Sequence, residues 1–340
     1  MIRVRRLALF QAVIIIGVVF NPLPAIAAHS DPKPNTVKSW YMNTTSESAH
    51  FDLGCALGDR IEAGSDPSNA VVIISYGDPI EVGSGWGTDL PGIAGTATVT
   101  KIRKAVQQYA TGAILCIPSI LRDHVSIRIG VGVTNNFPGP WGTTKSHDHG
   151  EKWGEAVKTA NENLSATVAA SAEIWGAYDN ELGYSNPQQG RAWANGFKDA
   201  PGVWPYFYFG AAGGCRNFDT GGIGSCGVDP FDAWHDDDVV YIAYNIAIAY
   251  PIPQIYREDG INAEQWVMLS LYNKSTYGIE LDFEGPLSQK AACDYIGASN
   301  CIADGTYNTS TQAWNQMVNK MDARPATIDD MINSCDIDWH

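Results

Sequence analysis

One pattern repeats along most of the chain, and it constrains the fold more than any other feature. An apolar, β-branched or aromatic run of strand length is followed by a polar loop and then by a segment with helical spacing of apolar residues. The runs that predict strands are 51–56, 71–76, 125–134, 173–178, 204–211, 239–247 and 279–283. The segments that predict helices are 99–110, 149–164, 187–198, 263–272 and 311–321.

Near-continuous apolar strands that alternate with amphipathic helices predict an α/β fold in which helices cover a parallel sheet. This many units in residues 49–340 favour closure into a (β/α)8-type TIM barrel. Seven strands are clear, so the barrel is irregular or its eighth strand lies near 80–93 or 114–120. A doubly wound open sheet is the alternative, but no GxGxxG opens a helix after the first strand and no GxxxxGK[ST] occurs. We therefore expect no cofactor.

The first 27 residues have the composition of a secretory signal peptide. Arg3, Arg5 and Arg6 precede an apolar run over 7–20, and Ala25-Ile26-Ala27 supplies a small-x-small cleavage pattern. Residues 28–48 are polar and rich in turn formers, which predicts a leader, followed by a single domain over 49–340. No later apolar run reaches the length of a membrane span. The expected location is therefore extracellular.

The charge balance excludes one class of partner. The 340 residues include 22 Lys+Arg and 37 Asp+Glu, giving a net charge of −15. Such a chain lacks the cationic surface that binds phosphate backbones, so we expect no DNA or RNA partner.

All seven cysteines lie in the part expected to be exported, where disulfides are the default interpretation. Cys215 and Cys226 bracket a glycine-rich loop, and Cys293 and Cys301 bracket a short polar one, so each pair is expected to join locally. Cys55 and Cys116 form a third candidate pair, which leaves Cys335 unpaired. Sequence alone does not determine this connectivity.

Acidic residues follow the predicted strands, where a parallel barrel places its functional groups. Asp179 and Glu181 follow the run 173–178, and Asp52 lies within the first predicted strand. Because alternate strand residues share a face, Asp179 and Glu181 are expected to project into one pocket. Two carboxyl groups in unequal surroundings can have separated pKa values, which is what glycosidic-bond hydrolysis requires.

Further polar and aromatic residues near strand ends are candidates for substrate binding. Asp78 follows the run 71–76, Asn136 follows 125–134, and Trp175 could offer an aromatic face to a sugar ring. Asp282 and Glu284 form a second acidic pair that shares a strand face. Either acidic pair could instead be barrel-lining ion-pair or hydrogen-bonding groups.

Several strings resemble a group of secreted bacterial proteins regarded as glycoside-hydrolase-like barrels, and the similarity runs over most of the exported part. The strings lie at 51–56, 133–136, 149–150, 176–181, 191–193, 253–256 and 263–266. More distantly, an Asp-x-Glu at a mid-chain strand end with an early-strand Asp is similar to the family-25 lysozymes, which cut the glycan of peptidoglycan. That resemblance implies Glu181 as general acid, Asp179 as its partner carboxylate and Asp52 as a supporting acid.

A second resemblance concerns residues 277–284, whose sequence YGIELDFE is similar to the DGIDLDFE signature of family-18 chitinases. It implies Glu284 as the acid and Asp282 as the group that orients the substrate. The chain departs from the signature at Tyr277 and Glu280. The signature also belongs to a middle strand, whereas here it lies near the end of the chain, so the Asp179/Glu181 pair is preferred.

Metal and serine chemistry have less support. His147 and His149 have a known ligand spacing, but they lie just before a predicted helix, where Ser146 or Asp148 serves as an N-cap. The acids at 236–238 precede a predicted strand, which favours a solvated turn over a calcium site. No GxSxG elbow is present. We therefore expect no metal.

The sequence predicts a secreted glycoside hydrolase that acts on a polysaccharide, with peptidoglycan as one candidate. A non-catalytic glycan-binding or envelope-associated barrel is the alternative. A metal-dependent hydrolase would require His147, His149 and an acid to converge.

Overall fold

The computed structural model describes residues 32–92, 95–139, 141–219, 226, 234–324 and 331–340. The expected signal peptide over 1–27 lies outside the described residues. Among those that are described, no helix is both long enough and apolar enough to cross a bilayer.

The strands are β1 (Val37–Tyr41), β2 (Asn69–Ser75), β3 (Asp78–Val82), β4 (Gly85–Asp89), β5 (Thr96–Thr98), β6 (Ser126–Thr134), β7 (Ala172–Asp179), β8 (Tyr206–Tyr208), β9 (Ala249–Pro251), β10 (Leu287–Ser288) and β11 (Cys335–Trp339). The helices are α1 (Glu47–Glu62), α2 (Val99–Leu115), α3 (Ser119–Arg122), α4 (Thr143–Glu162), α5 (Ala166–Ala169), α6 (Pro187–Asp199), α7 (Asp236–Val240), α8 (Ile261–Tyr277), α9 (Lys290–Ile296), α10 (Ser299–Ala303) and α11 (Ser310–Asp322), with a π-helical turn (Tyr241–Asn245) after α7.

Eight strands form one parallel sheet in the order β10-β11-β1-β2-β6-β7-β8-β9. The sheet curls until its two edges meet, because Leu287 donates to Pro253 and accepts from Ile255 through the backbone. Gln254 also forms an isolated parallel bridge with Leu287. The fold is therefore α/β and TIM-barrel-like, as the alternating pattern predicts.

Alternate strand residues separate the barrel interior from the layer beneath the helices. On β2, Val71 and Ile73 face the interior, whereas Val72 and Ile74 belong to the core shared with helices such as α2. The interior packs Trp175 and Ala177 of β7 against Phe207 and Phe209. Two glycines of β6 make this possible, since a Cβ at Gly130 would lie 2.9 Å from the Phe207 ring and one at Gly132 would lie 3.0 Å from the Phe209 ring.

The predicted disulfides are confirmed: Cys55 pairs with Cys116, Cys215 with Cys226, and Cys293 with Cys301. Cys335 is unpaired and buried in the barrel interior.

Three strand predictions are wrong. Residues 51–56 belong to α1 rather than to a strand, and 239–247 form the end of α7 and the π-helical turn. Residues 279–283 form no strand, since β10 begins at Leu287. The segment 28–48, expected to be a leader, contains β1, which pairs with β11 and β2 in the sheet. The regions suggested for an eighth strand hold the antiparallel β3–β4 hairpin and the end of α2.

Candidate active site

A cavity of about 730 Å³ lies at the carboxyl ends of the barrel strands. The final residues of five strands line it: Tyr41, Ser75, Thr134, Asp179 and Trp339. This is the end at which parallel barrels carry their functional loops. The β3–β4 hairpin forms one wall, and the segment closed by the Cys293–Cys301 disulfide forms another.

The wall of this cavity is acidic and aromatic. Its four carboxyl groups are Asp78, Asp89, Asp179 and Glu181, and its four large aromatic side chains are Tyr41, Tyr184, Tyr256 and Trp339. Among the described lining residues there is no Lys, Arg or His. The described part of the chain also contains no salt bridge to any of the four acids.

Asp179 and Glu181 enter the same cavity, as their spacing predicts. Asp179 is the last residue of β7 and only 5% exposed, and its Oδ1 accepts a hydrogen bond of 2.7 Å from Gln254 Nε2. Glu181 is half-buried in the loop that follows. Trp175 and Ala177 lie below Asp179 on the inward face of β7 and form the expected apolar floor.

Burial disfavours the charged form of both carboxyl groups. It raises the pKa of Asp179 well above its ordinary value, and the charges of Glu181 and Asp78 raise it further, against the hydrogen bond from Gln254. Burial also raises the pKa of Glu181 to about 7, and Gln254 again opposes the shift. Burial therefore favours the protonated form of both carboxyl groups, and at Asp179 the neighbouring charges act in the same direction.

The loop that carries Glu181 is fixed by amide side chains. Asn135, fully buried, donates through Nδ2 to the Glu181 carbonyl at 2.8 Å and to Ser185 Oγ at 2.8 Å. Its Oδ1 accepts from the Glu181 backbone N–H at 2.9 Å. On the other side, Asn180 donates to the Tyr208 hydroxyl at 3.1 Å. This network restricts the backbone on both sides of the acid.

Asp78 and Asn136, the expected substrate-binding residues from two neighbouring strands, do lie together in the cavity. Asp78 accepts from Thr134 Oγ1 at 2.6 Å and from Asn136 Nδ2 at 2.7 Å. These hydrogen bonds come from neutral donors, so they orient the carboxylate without cancelling its charge.

Glu284, the acid implied by the chitinase resemblance, lies at the opposite end of the barrel. Arg128, near the start of β6, donates to its two carboxylate oxygens at 2.6 and 2.8 Å, and Asn333 donates at 3.1 Å. The Arg128 guanidinium also lies 5.2 Å from the centre of the Trp175 ring. Glu284 therefore anchors the amino-terminal end of the barrel, which in this architecture serves stability.

Three other expected site residues do not reach the cavity. Asp52 is exposed on α1, because the segment predicted as the first strand is helical. Asp282 is exposed in the loop before β10, on the side of Glu284. Trp175 is 7% exposed inside the barrel, where it stacks on Phe207 with ring centres 4.7 Å apart.

The two histidines of the His-x-His motif do not share one site, and only His147 lies close to acids, namely Asp148 and Glu151. His149 is buried, with Nε2 at 3.1 Å from the Gly87 carbonyl and Nδ1 accepting from Trp193 Nε1 at 3.0 Å. His147 instead lies at the helix surface, 3.2 Å from Asp199. Neither histidine lines the cavity. The acids at 237 and 238 pair with Arg191.

Sequence reasoning missed Tyr41, Gln254, Tyr256, Trp339 and Asp89. The Tyr41 and Tyr256 hydroxyls lie 3.4 Å apart, and burial raises the pKa of both above the ordinary range. The alternating sequence CDIDW indicates a short strand that ends at Trp339, and Gln254 follows an apolar run. Neither pattern identifies a site residue unless the order of the strands in the sheet is known.

No family model and no curated protein matches the chain. Among solved structures it is similar to a dihydrodipicolinate synthase from Agrobacterium tumefaciens str. C58, with 14% sequence identity and a TM-score of 0.34. The alignment covers 74% of this chain and 63% of that structure. A similarity this low carries no argument about function. The assignment of the fold depends instead on the strand order and on the backbone hydrogen bonds that join the two edges of the sheet.

Proposed function

We propose that this protein is a secreted glycoside hydrolase that acts on a polysaccharide, with peptidoglycan glycan among the candidate substrates. The observation that carries the proposal is the pair Asp179 and Glu181. These carboxyl groups, one buried and one half-buried, have raised pKa values and face one open cavity with no cationic partner among the described residues. Metal-independent glycosidases require a pair of this kind.

In this mechanism Glu181 donates a proton to the oxygen of the scissile bond. It is the more exposed of the two acids, and a pKa of about 7 leaves a useful fraction of the acid form near neutral pH. Asp179 is the partner carboxyl group, and Gln254 holds it in place. The Asp179 carboxylate bonds to the anomeric carbon as the protonated alcohol leaves, and the Glu181 carboxylate then accepts a proton from the water that displaces Asp179 from the sugar.

The aromatic wall suits a sugar chain. Tyr184 is 51% exposed at the rim, and Trp339 contributes its ring from the end of β11. Aromatic faces pack against the C–H faces of pyranose rings, while polar edges such as that formed by Asp78 and Asn136 bind hydroxyl groups.

The expected class can be tested by measuring reducing-end release from a panel of wall glycans, chitin and plant polysaccharides. The wild-type chain should cut at least one member, and Glu181→Gln should lower that rate by about 10²-fold. Asp52→Asn, an exposed acid outside the cavity, is the matched control and should retain full activity.

A non-catalytic glycan-binding barrel is the second candidate. The 5% exposure of Asp179 favours it, since little of this carboxyl group is open to a substrate atom. Saturable binding to a panel member without any product, in both the wild type and Glu181→Gln, would select this alternative.

A further inference from the structure

The β3–β4 hairpin brings two acids together at the cavity. The antiparallel register places Asp78 directly opposite Asp89, and both residues line the cavity. Like charges directly opposite each other on neighbouring strands are destabilising. Within the described ranges, neither acid forms a salt bridge, and the donors to Asp78 are the neutral groups of Thr134 and Asn136. The hairpin therefore presents an uncompensated double negative charge to whatever occupies the cavity.

A second, independent feature lies on the cavity floor. Ser75 is the last residue of β2, and the alternation with Val71 and Ile73 directs its side chain into the barrel. It is fully buried, lines the cavity, and its Oγ has no hydrogen-bond partner among the described residues. Leaving a buried hydroxyl unpaired is costly, so a ligand atom that hydrogen-bonds to Ser75 would be favoured.

These groups select a particular kind of sugar. An ammonium group carries three donors and no acceptor, which matches two carboxylates and a hydroxyl oxygen. A sugar that carries a carboxylate would be repelled by Asp78 and Asp89. An N-acetylated sugar is uncharged at that position, so it would gain nothing from the charge of Asp78 and Asp89.

We propose that the cavity binds an amino sugar with a free, protonated amine, and that Asp78, Asp89 and Ser75 form its ammonium subsite. The inference rests on the proposed function, whose site it shares, and names the substrate class as a de-N-acetylated amino-sugar polymer.

The test compares β-linked glucosamine hexamer with the same hexamer fully N-acetylated. Binding is measured by calorimetry on Glu181→Gln, and hydrolysis is measured on the wild-type chain. The amine form should bind about tenfold more tightly in low salt, and the preference should shrink at high ionic strength. Asp89→Asn, which alters an exposed acid with no described side-chain partner, should weaken binding of the amine form about fivefold and leave the acetylated form unchanged.

Asp78→Asn and Ser75→Ala should show the same selective loss, and Asp52→Asn should show none. Thermal unfolding of each variant separates loss of the subsite from loss of the fold. Peptidoglycan strands before and after chemical de-N-acetylation form a further arm, which distinguishes a wall glycan from a glucosamine polymer.

Each outcome decides one of the two proposals. Selective binding of the amine form without hydrolysis supports the subsite and contradicts the glycosidase. Equal or better binding and cleavage of the acetylated form overturns the subsite and leaves the glycosidase standing. If neither hexamer binds nor is cut, the subsite is wrong, and the glycosidase is decided by the wider panel.

Discussion

The same substitution, glutamate to glutamine, should have opposite effects at the two ends of the barrel. Glu181 lies at the carboxyl ends of the strands beside Asp179, and Glu284 lies at the amino ends against Arg128. Glutamine keeps the size of the side chain but removes its charge and its capacity to donate an acidic proton. We expect Glu181→Gln to lower activity and preserve stability. We expect Glu284→Gln to lower stability and preserve activity.

The cost at Glu284 follows from its contacts. The carboxylate accepts three hydrogen bonds, two of them from Arg128, and the two side chains are 10% and 14% exposed. Removing one member of a buried pair typically costs 3–5 kcal/mol, because the other charge is left uncompensated. The amide oxygen can still accept one bond, so we take the lower end, about 3 kcal/mol. In a chain of this length that is a fall in Tm of about 4 °C.

The effect at Glu181 is kinetic. Its acid form supplies the proton in the proposed reaction, so the glutamine variant should lose about 10²-fold in kcat/KM. Its stability should not fall, since burial already disfavours the charged form of this residue. Thermal unfolding at pH 8 should place Glu181→Gln at or above the wild-type Tm.

The assay measures Tm by circular dichroism and initial rates of reducing-end release on the substrate found in the panel. The reasoning would be refuted if Glu284→Gln abolished turnover with an unchanged Tm while Glu181→Gln remained active. That result would transfer the acid role to Glu284, as the chitinase resemblance implies.

Three further predictions concern pH, thiols and metals. Because the pKa of Glu181 is raised to about 7 in the folded state, the folded protein binds more protons than the unfolded chain between about pH 4.5 and 7, and its stability falls as the pH rises through that window. Glu181→Gln should therefore show a smaller fall in Tm than the wild type between pH 5 and pH 8. An equal fall in the two proteins would contradict the assignment. Titration with a thiol reagent should find about one thiol per chain in the denatured, non-reduced protein. It should find none in the native protein, because Cys335 is buried and its pKa is raised to about 12. Finding six or seven thiols in the denatured protein would exclude the disulfides. A chelator should leave activity intact, since no histidine lines the described part of the cavity beside its acids. Complete loss of activity in chelator, restored by a divalent ion, would count against a carboxylate mechanism.

The sequence determined the central part of the barrel well. The runs that became β2, β6 and β7 are apolar on both faces, because one face packs inside the barrel and the other packs against helices. Strands buried on both sides leave a strong local signal. The same signal located Asp179 and Glu181 at the end of β7, and Asp78 and Asn136 just beyond β2 and β6.

Other elements could not be read locally. Residues 51–56 suggest a strand because Gly54 weakens the helical pattern, yet that glycine is what lets α1 approach α2: a Cβ there would lie 2.1 Å from the Tyr109 carbonyl oxygen. The run 239–247 is almost continuously apolar, and a short apolar helical segment cannot be told from a buried strand by periodicity. The short strands β1 and β11 become strands through their pairing with each other.

Only the tertiary structure decided which acids share a cavity. Asp179/Glu181 and Asp282/Glu284 have the same spacing, so local sequence cannot distinguish them. Glu284 lies before its strand and Glu181 after its own, and this difference puts them at opposite ends of the barrel. The opposition of Asp78 and Asp89, and the approach of Gln254 to Asp179, likewise depend on strand pairings between residues distant in the chain. Burial and charge, which set the chemistry of each carboxyl group, are properties of those pairings and not of the local sequence.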